Sequence, residues 1–282
     1  MGGIYWLASY HRSGNTWFRV WLANLRAEDD APVNINALDP AVACSRAWLS
    51  ATLGFETADL DFDEIDLLRP TAYDWRPDDT VVSYQKVHDA YTRLADGSPV
   101  LGRAATLGAI YIVRNPLDVV PSYASHSGRT IDRAIALMGD PNHRHSARTD
   151  RLAMQMREKL LDWSGHVKSW VDAEGLAVHL VRYEDMSADP HGTLARAARF
   201  LGLPNDPARI ARAVRNSSFD RLRAQEREFG FEGRSPGTPF FRRGLVGGWR
   251  DTLSEEQVAR IIGDHGAVMR RFGYLDAHGN PA

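Results

Sequence analysis

The sequence is poor in the features that would take it out of the ordinary globular classes. One cysteine, Cys44, stands among 282 residues, which excludes an internal disulfide and a thiolate zinc cluster. No window approaches about 18 uninterrupted apolar residues, so no obvious membrane span is present. The first residues run straight into a strand-like segment, without the basic, apolar and small-residue succession of a signal peptide, and the expected location is cytoplasmic. Charge of one sign is not in excess either. With 34 Lys and Arg against 36 Asp and Glu, the net charge is −2. That argues against nucleic acid as a general partner and leaves room only for local basic clusters. No internal repeat and no dividing linker is visible, so one domain spanning 1–282 is expected.

What is present alternates between two periodicities. Residues 4–10 read as a buried strand and 15–27 as a helix with apolar residues at helical spacing. Residues 28–79 are acidic and proline-punctuated, with short helical pieces at 40–52 and 63–68. The β-branched run 80–88 (TVVSYQKVH) is a second strand. The run 109–123 (AIYIVRNPLDVVPSY) is a third, broken at Asn115-Pro116 and followed by a helix. Its consecutive apolar residues suit a parallel strand covered on both faces. Residues 124–150 are polar and basic around a short helical centre and read as a long loop. A helix is expected over 151–173, a strand over 176–186, and helices over 191–201 and 206–215. Residues 224–248 are glycine-rich, basic and non-periodic, and a last helix opens at Ser254-Glu-Glu-Gln257, a capping-box pattern. This order predicts an α/β fold: a single doubly wound domain with a mostly parallel central sheet flanked by helices. Mobile substrate loops are expected at 28–60, 124–150 and 224–248.

The chemistry concentrates in three basic clusters. The first follows the first strand, as Ser9-Tyr-His-Arg-Ser-Gly-Asn-Thr-Trp17. A tight turn into a helix N-terminus attracts anions through unpaired N–H groups and the helix dipole. Arg12 adds a cationic fork, Ser13, Asn15 and Thr16 neutral donors, and Gly14 permits close backbone approach. The Walker pattern is not met, since a second glycine and the lysine are absent. Taken alone, the loop is equally an ordinary strand–turn–helix with a surface arginine. Arg114-Asn-Pro-Leu-Asp118, with Ser122, closes the third strand, where ligands of parallel sheets bind. Arg242-Arg243-Gly244 lies in the glycine-rich segment, just before Trp249-Arg250. Three separated positive clusters on an acidic protein point to a ligand with more than one phosphate-like group.

Together these segments resemble the sulfotransferases that use 3′-phosphoadenosine 5′-phosphosulfate (PAPS), from Tyr5 to about Trp249. The family's loop TYPKSGTTW, its RNPxDxxxSY and its RKGxxGxW correspond to residues 9–17, 114–123 and 242–249 here. The resemblance implies a P-loop-like sulfotransferase fold. It also implies that Arg12, Ser13, Gly14, Asn15 and Thr16 cradle the 5′-phosphosulfate, with Trp17 near the adenine. Arg114, Ser122, Arg242, Arg243 and Gly244 would grip the 3′-phosphate. Arg182-Tyr183-Glu-Asp-Met186 and Ser217-Ser218-Phe219 match further blocks, which puts Tyr183, Ser217 and Phe219 at the base. The family's lysine–x–histidine matches Lys86-Val87-His88 and makes His88 the candidate base, with Arg12 and Lys86 as catalytic partners.

The sequence departs from the pattern at three loop positions: His11 for proline, Arg12 for lysine and Asn15 for threonine. Arginine keeps its charge permanently and binds oxygens as a planar fork rather than a mobile point charge. The implied reaction is in-line sulfuryl transfer to a hydroxyl with His88 working near the ordinary imidazole pKa of about 6.5, leaving 3′-phosphoadenosine 5′-phosphate (PAP). No metal is called for, and His143-x-His145 is set aside as a metal pair. The acceptor is a small molecule, either a phenol, an alcohol or a natural-product hydroxyl. The opening Gly-Ile-Tyr-Trp-Leu-Ala-Ser-Tyr is similar to bacterial enzymes that modify glycopeptides and other secondary metabolites. No membrane partner is expected. The C-terminal segment lacks a clear match to the dimerisation motif of animal members, which leaves monomer and homodimer open. A P-loop-type nucleotide kinase or phosphotransferase and a catalytically silent nucleotide-binding protein are the alternatives.

Overall fold

The computed structural model describes residues 2–38, 42–76, 78–233, 239–242 and 244–282. Its strands are β1 (Gly3–Ser9), β2 (Val82–Val87), β3 (Thr106–Val113), β4 (Arg144–His145), β5 (Glu158–Lys159) and β6 (Val178–Arg182). Its helices are α1 (Asn15–Arg26), α2 (Arg46–Leu53), α3 (Phe62–Asp74), α4 (Pro116–Ser127), α5 (Ile131–Met138) and α6 (Trp163–Val171), then α7 (Tyr183–Ala188), α8 (Pro190–Phe200), α9 (Pro207–Asn216), α10 (Phe219–Phe229) and α11 (Glu255–Arg271).

The central sheet is mostly parallel, in the order β2-β1-β3-β6. β1 pairs in parallel with β2 from Gly3↔Val82 to Ala8↔Val87. Ile4, Trp6, Leu7 and Ala8 are all buried, so the consecutive apolar run reflects a strand covered on both faces. The chain goes from β1 to the neighbour on one side and then returns to place β3 on the other. That makes the carboxyl ends of β1 and β3 the topological switch point, where open α/β sheets bind ligands.

The chain folds into two compact units, one from 1–10, 41–111 and 140–180, the other from 11–40, 112–139 and 181–282. Within the first, the Trp6 ring meets Tyr73 edge-on at 5.1 Å and Tyr111 stacks with Trp170 at 6.0 Å. A second cluster packs Leu49, Ile65, Ala72 and Met156. A buried ionic set ties α3 to the segments after β2 and around β5. Arg69 bonds Asp89 at 2.7 Å and Asp66 at 3.3 Å, and Lys159 reaches Asp66 at 2.8 Å. Within the second unit, Val20, Ile35, Leu222 and Phe241 form a core against which Trp17, Phe219, Phe231 and Phe240 pack.

Several elements differ from the expected ones, each for a local reason. Of the helix expected over 151–173, only Trp163–Val171 forms. Leu161 takes φ 58, and Asp162 caps the helix by accepting from Gly165 N at 2.5 Å. Upstream, Met156 and Leu160 are buried while Leu152 and Met154 are exposed, an irregular segment rather than a helical face. The strand expected over 176–186 stops at Arg182 because Tyr183 already starts α7. The expected loop 124–150 is helical in less than half of its length: α4 runs to Ser127, Gly128 caps it at φ 63, and Thr130 caps α5, the helical centre that the pattern predicts. The first part of 224–248 belongs to α10. The capping box at Ser254 and Gln257 forms as the pattern predicts.

Candidate active site

In the second unit, the loop entering α1 is shaped by two left-handed residues, Arg12 at φ 65 and Gly14 at φ 105. Glycine is required at position 14 for a second reason. A Cβ there would lie 2.6 Å from Cδ2 of Tyr183, so the close approach is to a ring of this chain. The first turn of α1 carries no acidic residue, and its leading N–H groups have no partners inside the helix. Ser13 is buried, and its Oγ has no hydrogen-bond partner among the described residues. Asn15 is buried at the first helical position and Thr16 half-buried beside it. The His11 ring, where the resemblance expects proline, stacks on Tyr123 at 6.0 Å.

Arg12 reaches away from its own turn. Its Nε donates to Ser122 Oγ at 3.1 Å, its Nη2 to the Phe240 carbonyl at 3.3 Å, and the guanidinium covers the Phe240 ring at 4.3 Å. Burial, then Arg114 and Arg242, lower its pKa to about 10, with Tyr183 and Glu226 opposing. It remains a cation at neutral pH. Arg114, directly after β3, donates to the Arg12 carbonyl at 3.2 Å and the Leu245 carbonyl at 3.0 Å. Its guanidinium lies 4.1 Å over the Tyr183 ring, and its buried Nε has no partner among the described residues.

The segment with the third basic cluster is held by carboxylates at both ends. Glu226 of α10 accepts from Phe240 N at 2.6 Å and Phe241 N at 2.9 Å. Asp118 of α4 accepts from Gly247 N at 2.7 Å and Trp249 N at 3.0 Å. Between them Arg242 is exposed and Gly244 adopts φ 64, where a Cβ would lie 2.6 Å from the Phe219 ring. Arg243 lies outside the described residues. Trp17 donates to the Ser217 carbonyl at 2.9 Å and meets Tyr183 edge-on at 5.5 Å. The Ser217 hydroxyl is occupied locally, donating to the Ala213 carbonyl at 2.8 Å.

These residues fit a nucleotide with two phosphate-like groups. Three arginines interact electrostatically, two buried polar atoms, Ser13 Oγ and Arg114 Nε, lack protein partners among the described residues, and a helix N-terminus joins them. Like charges crowd together at a cost unless an anion compensates them.

Lys86 and His88 belong to the first unit. Lys86 pairs with Leu7 in the β1–β2 ladder. His88 follows the last ladder residue and is buried. Its Nδ1 lies 2.7 Å from the Ser9 carbonyl. A carbonyl only accepts, so Nδ1 carries the proton and Nε2 keeps the lone pair. Burial and then Lys86 lower the His88 pKa to about 3, against opposing contributions from Glu158 and the Ser9 bond. The expectation of an ordinary imidazole value thus meets a neutral ring whose tautomer is fixed.

Sequence reasoning missed His166, whose Nε2 donates to the His88 carbonyl at 3.0 Å. It also missed Glu226 and the carbonyl of Phe240. His166 was hidden as one histidine on the apolar face of a helix. Asp118, by contrast, stands inside the Arg114–Asp118 motif, and its spacing was visible.

A family model described as the sulfotransferase domain matches residues 4–273. Human sulfotransferase 2B1 is 26% identical over 155 residues, covering 52% of this chain and 40% of that protein. Sulfotransferase 2A6 of Rattus norvegicus is 27% identical over 163 residues, covering 52% of this chain and 51% of the relative. The chain thus spans about half the length of these curated relatives or less. In fold it is similar to mouse sulfotransferase SULT7A1 complexed with PAP, with a TM-score of 0.58 at 19% identity, covering 98% of this chain and 87% of that one. It is also similar to a retinol dehydratase in complex with retinol and PAP, with a TM-score of 0.61 at 19% identity, covering 95% and 81%.

Proposed function

The chain belongs to the sulfotransferase domain family, and from that premise we propose that it transfers the sulfuryl group of PAPS to an acceptor hydroxyl. The observation that carries the reading is the cationic set Arg12, Arg114 and Arg242, together with Ser13 Oγ and Arg114 Nε, which lack hydrogen-bond partners among the described residues. PAPS, when bound, supplies an activated sulfuryl group on a phosphate leaving group, and PAP is the product.

The roles follow from each side chain's chemistry. The loop 12–16 holds the 5′ end through backbone N–H groups, the Ser13 and Thr16 hydroxyls, the Asn15 amide and the Arg12 fork. Arg114, Ser122, Arg242, Arg243 and Gly244 hold the 3′-phosphate. Trp17, Tyr183, Ser217 and Phe219 form the base side, where Tyr183 is already fixed by Arg114 and Trp17. His88 takes the hydroxyl proton on Nε2, the nitrogen that the Ser9 bond leaves with a lone pair. Arg12 and Lys86 stabilise charge on the sulfuryl and departing oxygens. An anion near His88 raises its pKa from the low value set by burial and Lys86, and so strengthens it as a base. The acceptor is a small phenol, alcohol or natural-product hydroxyl. A single domain over 1–282 and a cytoplasmic location complete the proposed reading.

Calorimetry with PAP and with ADP, which lacks the 3′-phosphate, tests this reading. A charge-assisted hydrogen bond is worth about 1.5–3 kcal/mol, so PAP is expected to bind at least about tenfold tighter. Equal affinities, or magnesium-dependent ATP turnover, would contradict the proposal and favour a nucleotide kinase.

A further inference from the structure

We propose that His166 is a positioning residue for the transfer reaction, aiming the His88 imidazole through the His88 backbone, and that α6 is the element supplying this hold. The inference rests on the reading of His88 as the base. The problem it addresses is set by the strand. The β1–β2 ladder ends at Val87, so from His88 onward the backbone groups must find partners outside it.

Helix α6 supplies those partners from one face. His166, Ser169 and Trp170 stand at i, i+3 and i+4, neighbouring positions on a helix surface. His166 Nε2 donates to the His88 carbonyl at 3.0 Å, and Trp170 Nε1 donates to the Asp89 carbonyl at 3.0 Å. Ser169 Oγ accepts from Tyr91 N at 2.9 Å. The Ala90 N–H goes to the Lys159 carbonyl at 2.7 Å, and the Asp89 carboxylate is held by Arg69 and by Lys159 N. Every residue from 88 to 91 is thereby pinned, while Ser9 orients the ring of His88 itself.

His166 is more than packing within this row. Its side chain is fully buried, where a hydrocarbon would fill the space without desolvating two ring nitrogens. Both nitrogens are instead used in a directional relay. The His88 carbonyl can only accept, so Nε2 bears the proton. Nδ1 therefore accepts, and the Tyr111 hydroxyl donates to it at 2.8 Å. Tyr10 meets the ring edge-on at 5.3 Å and limits its rotation. The relay Tyr111 → His166 → His88 carbonyl fixes the residue whose Nε2 receives the proton, and displacements near 1 Å cost on the order of a hundredfold in rate.

The test compares wild type with His88→Ala, His166→Leu, His166→Gln and Tyr111→Phe, and adds the double variant His88→Ala/His166→Leu. Turnover is measured with labelled PAPS against a panel of phenols and alcohols, PAP affinity by calorimetry, and imidazole protonation by ¹⁵N-histidine NMR. His166→Leu is expected to lower kcat about 30-fold with KM for PAPS and PAP affinity unchanged. His166→Gln, which retains an amide donor, is expected to recover most of that loss. Adding His166→Leu to His88→Ala should cost nothing further, because positioning has no effect once its object is gone. NMR should show His88 as one Nδ1–H tautomer in wild type and as exchanging tautomers in His166→Leu. Wild-type kcat and an unchanged His88 spectrum in folded His166→Leu would overturn the inference, as would equal losses in the single and double backgrounds. If the leucine variant does not fold, Tyr111→Phe and His166→Gln decide the matter. A lowered kcat and a perturbed His88 spectrum in Tyr111→Phe, with His166→Gln near wild type, support the hold, and no change in Tyr111→Phe refutes it. If His88→Ala keeps its turnover, the base reading falls on its own, and the NMR comparison still judges the hold on the imidazole.

Discussion

At the scale of single residues, His88 and Arg12 are both pushed toward their neutral forms, with different consequences. Arg12 at about 10 keeps its charge at neutral pH, whereas His88 at about 3 is uncharged. His166 shares the second situation, lowered to about 4 by burial against opposing contributions from the His88 bond and Glu158. Both imidazoles lie below the ordinary value of about 6.5. The unfolded chain therefore binds more protons between about pH 4 and pH 6.5. Their contribution to stability is complete above about pH 6.5 and is lost as pH falls toward the folded values. For His166 this loss is on the order of 3 kcal/mol. Thermal unfolding followed from pH 7.5 to pH 4.5 is expected to show a falling Tm, less steep in His166→Gln. A pH-independent Tm in that range, or an equal slope in the variant, would contradict the buried neutral state.

At the scale of elements, residues 239–242 and 244–249 are where the candidate site depends on long-range carboxylates. Glu226 holds one end and Asp118 the other, and Arg114 adds a bond to the Leu245 carbonyl. None of these bonds is a backbone–backbone bond, so Phe240, Phe241, Leu245, Gly247 and Trp249 are held by side chains of α4, α10 and Arg114. Glu226→Gln halves the acceptor capacity toward the Phe240 and Phe241 N–H groups, and Asp118→Asn does the same at Gly247 and Trp249. Each substitution is expected to weaken PAP binding about tenfold, while ADP binding changes little, because the proposal assigns the strap to the 3′-phosphate. Calorimetry with both nucleotides checks this. A parallel loss for ADP would make the straps global supports.

At the scale of the whole molecule, motifs were legible where the chemistry is contiguous in sequence. Residues 12–17 and 114–122 combine charge, hydroxyl and turn-forming residues within a few positions, and 242–244 sets two arginines beside a glycine, the close clustering of donors that a phosphate ligand calls for. The strand–helix order was equally readable, since burial on both faces leaves unbroken apolar runs in β1 and β3. Less readable was whatever depends on distant partners. His166 meets His88 across 78 positions, and its helix buries it among apolar residues that carry no sign of the bond. The helix expected over 151–173 failed because Leu161 turns into the left-handed region, a choice that its local periodicity does not announce. The clash that fixes Gly14 comes from Tyr183 and was likewise invisible to spacing.

These scales meet in the proposal that the chain holds PAPS and delivers its sulfuryl group to a hydroxyl deprotonated by His88. The most direct test is transfer of label from PAPS to a phenol and alcohol panel, by wild type and His88→Ala, with PAP affinity measured on both. Wild type is predicted to label a hydroxyl, and His88→Ala to lose about 10²–10⁴-fold in turnover with unchanged PAP affinity. Near-normal turnover by His88→Ala, or PAP binding without transfer to any hydroxyl, would contradict the account.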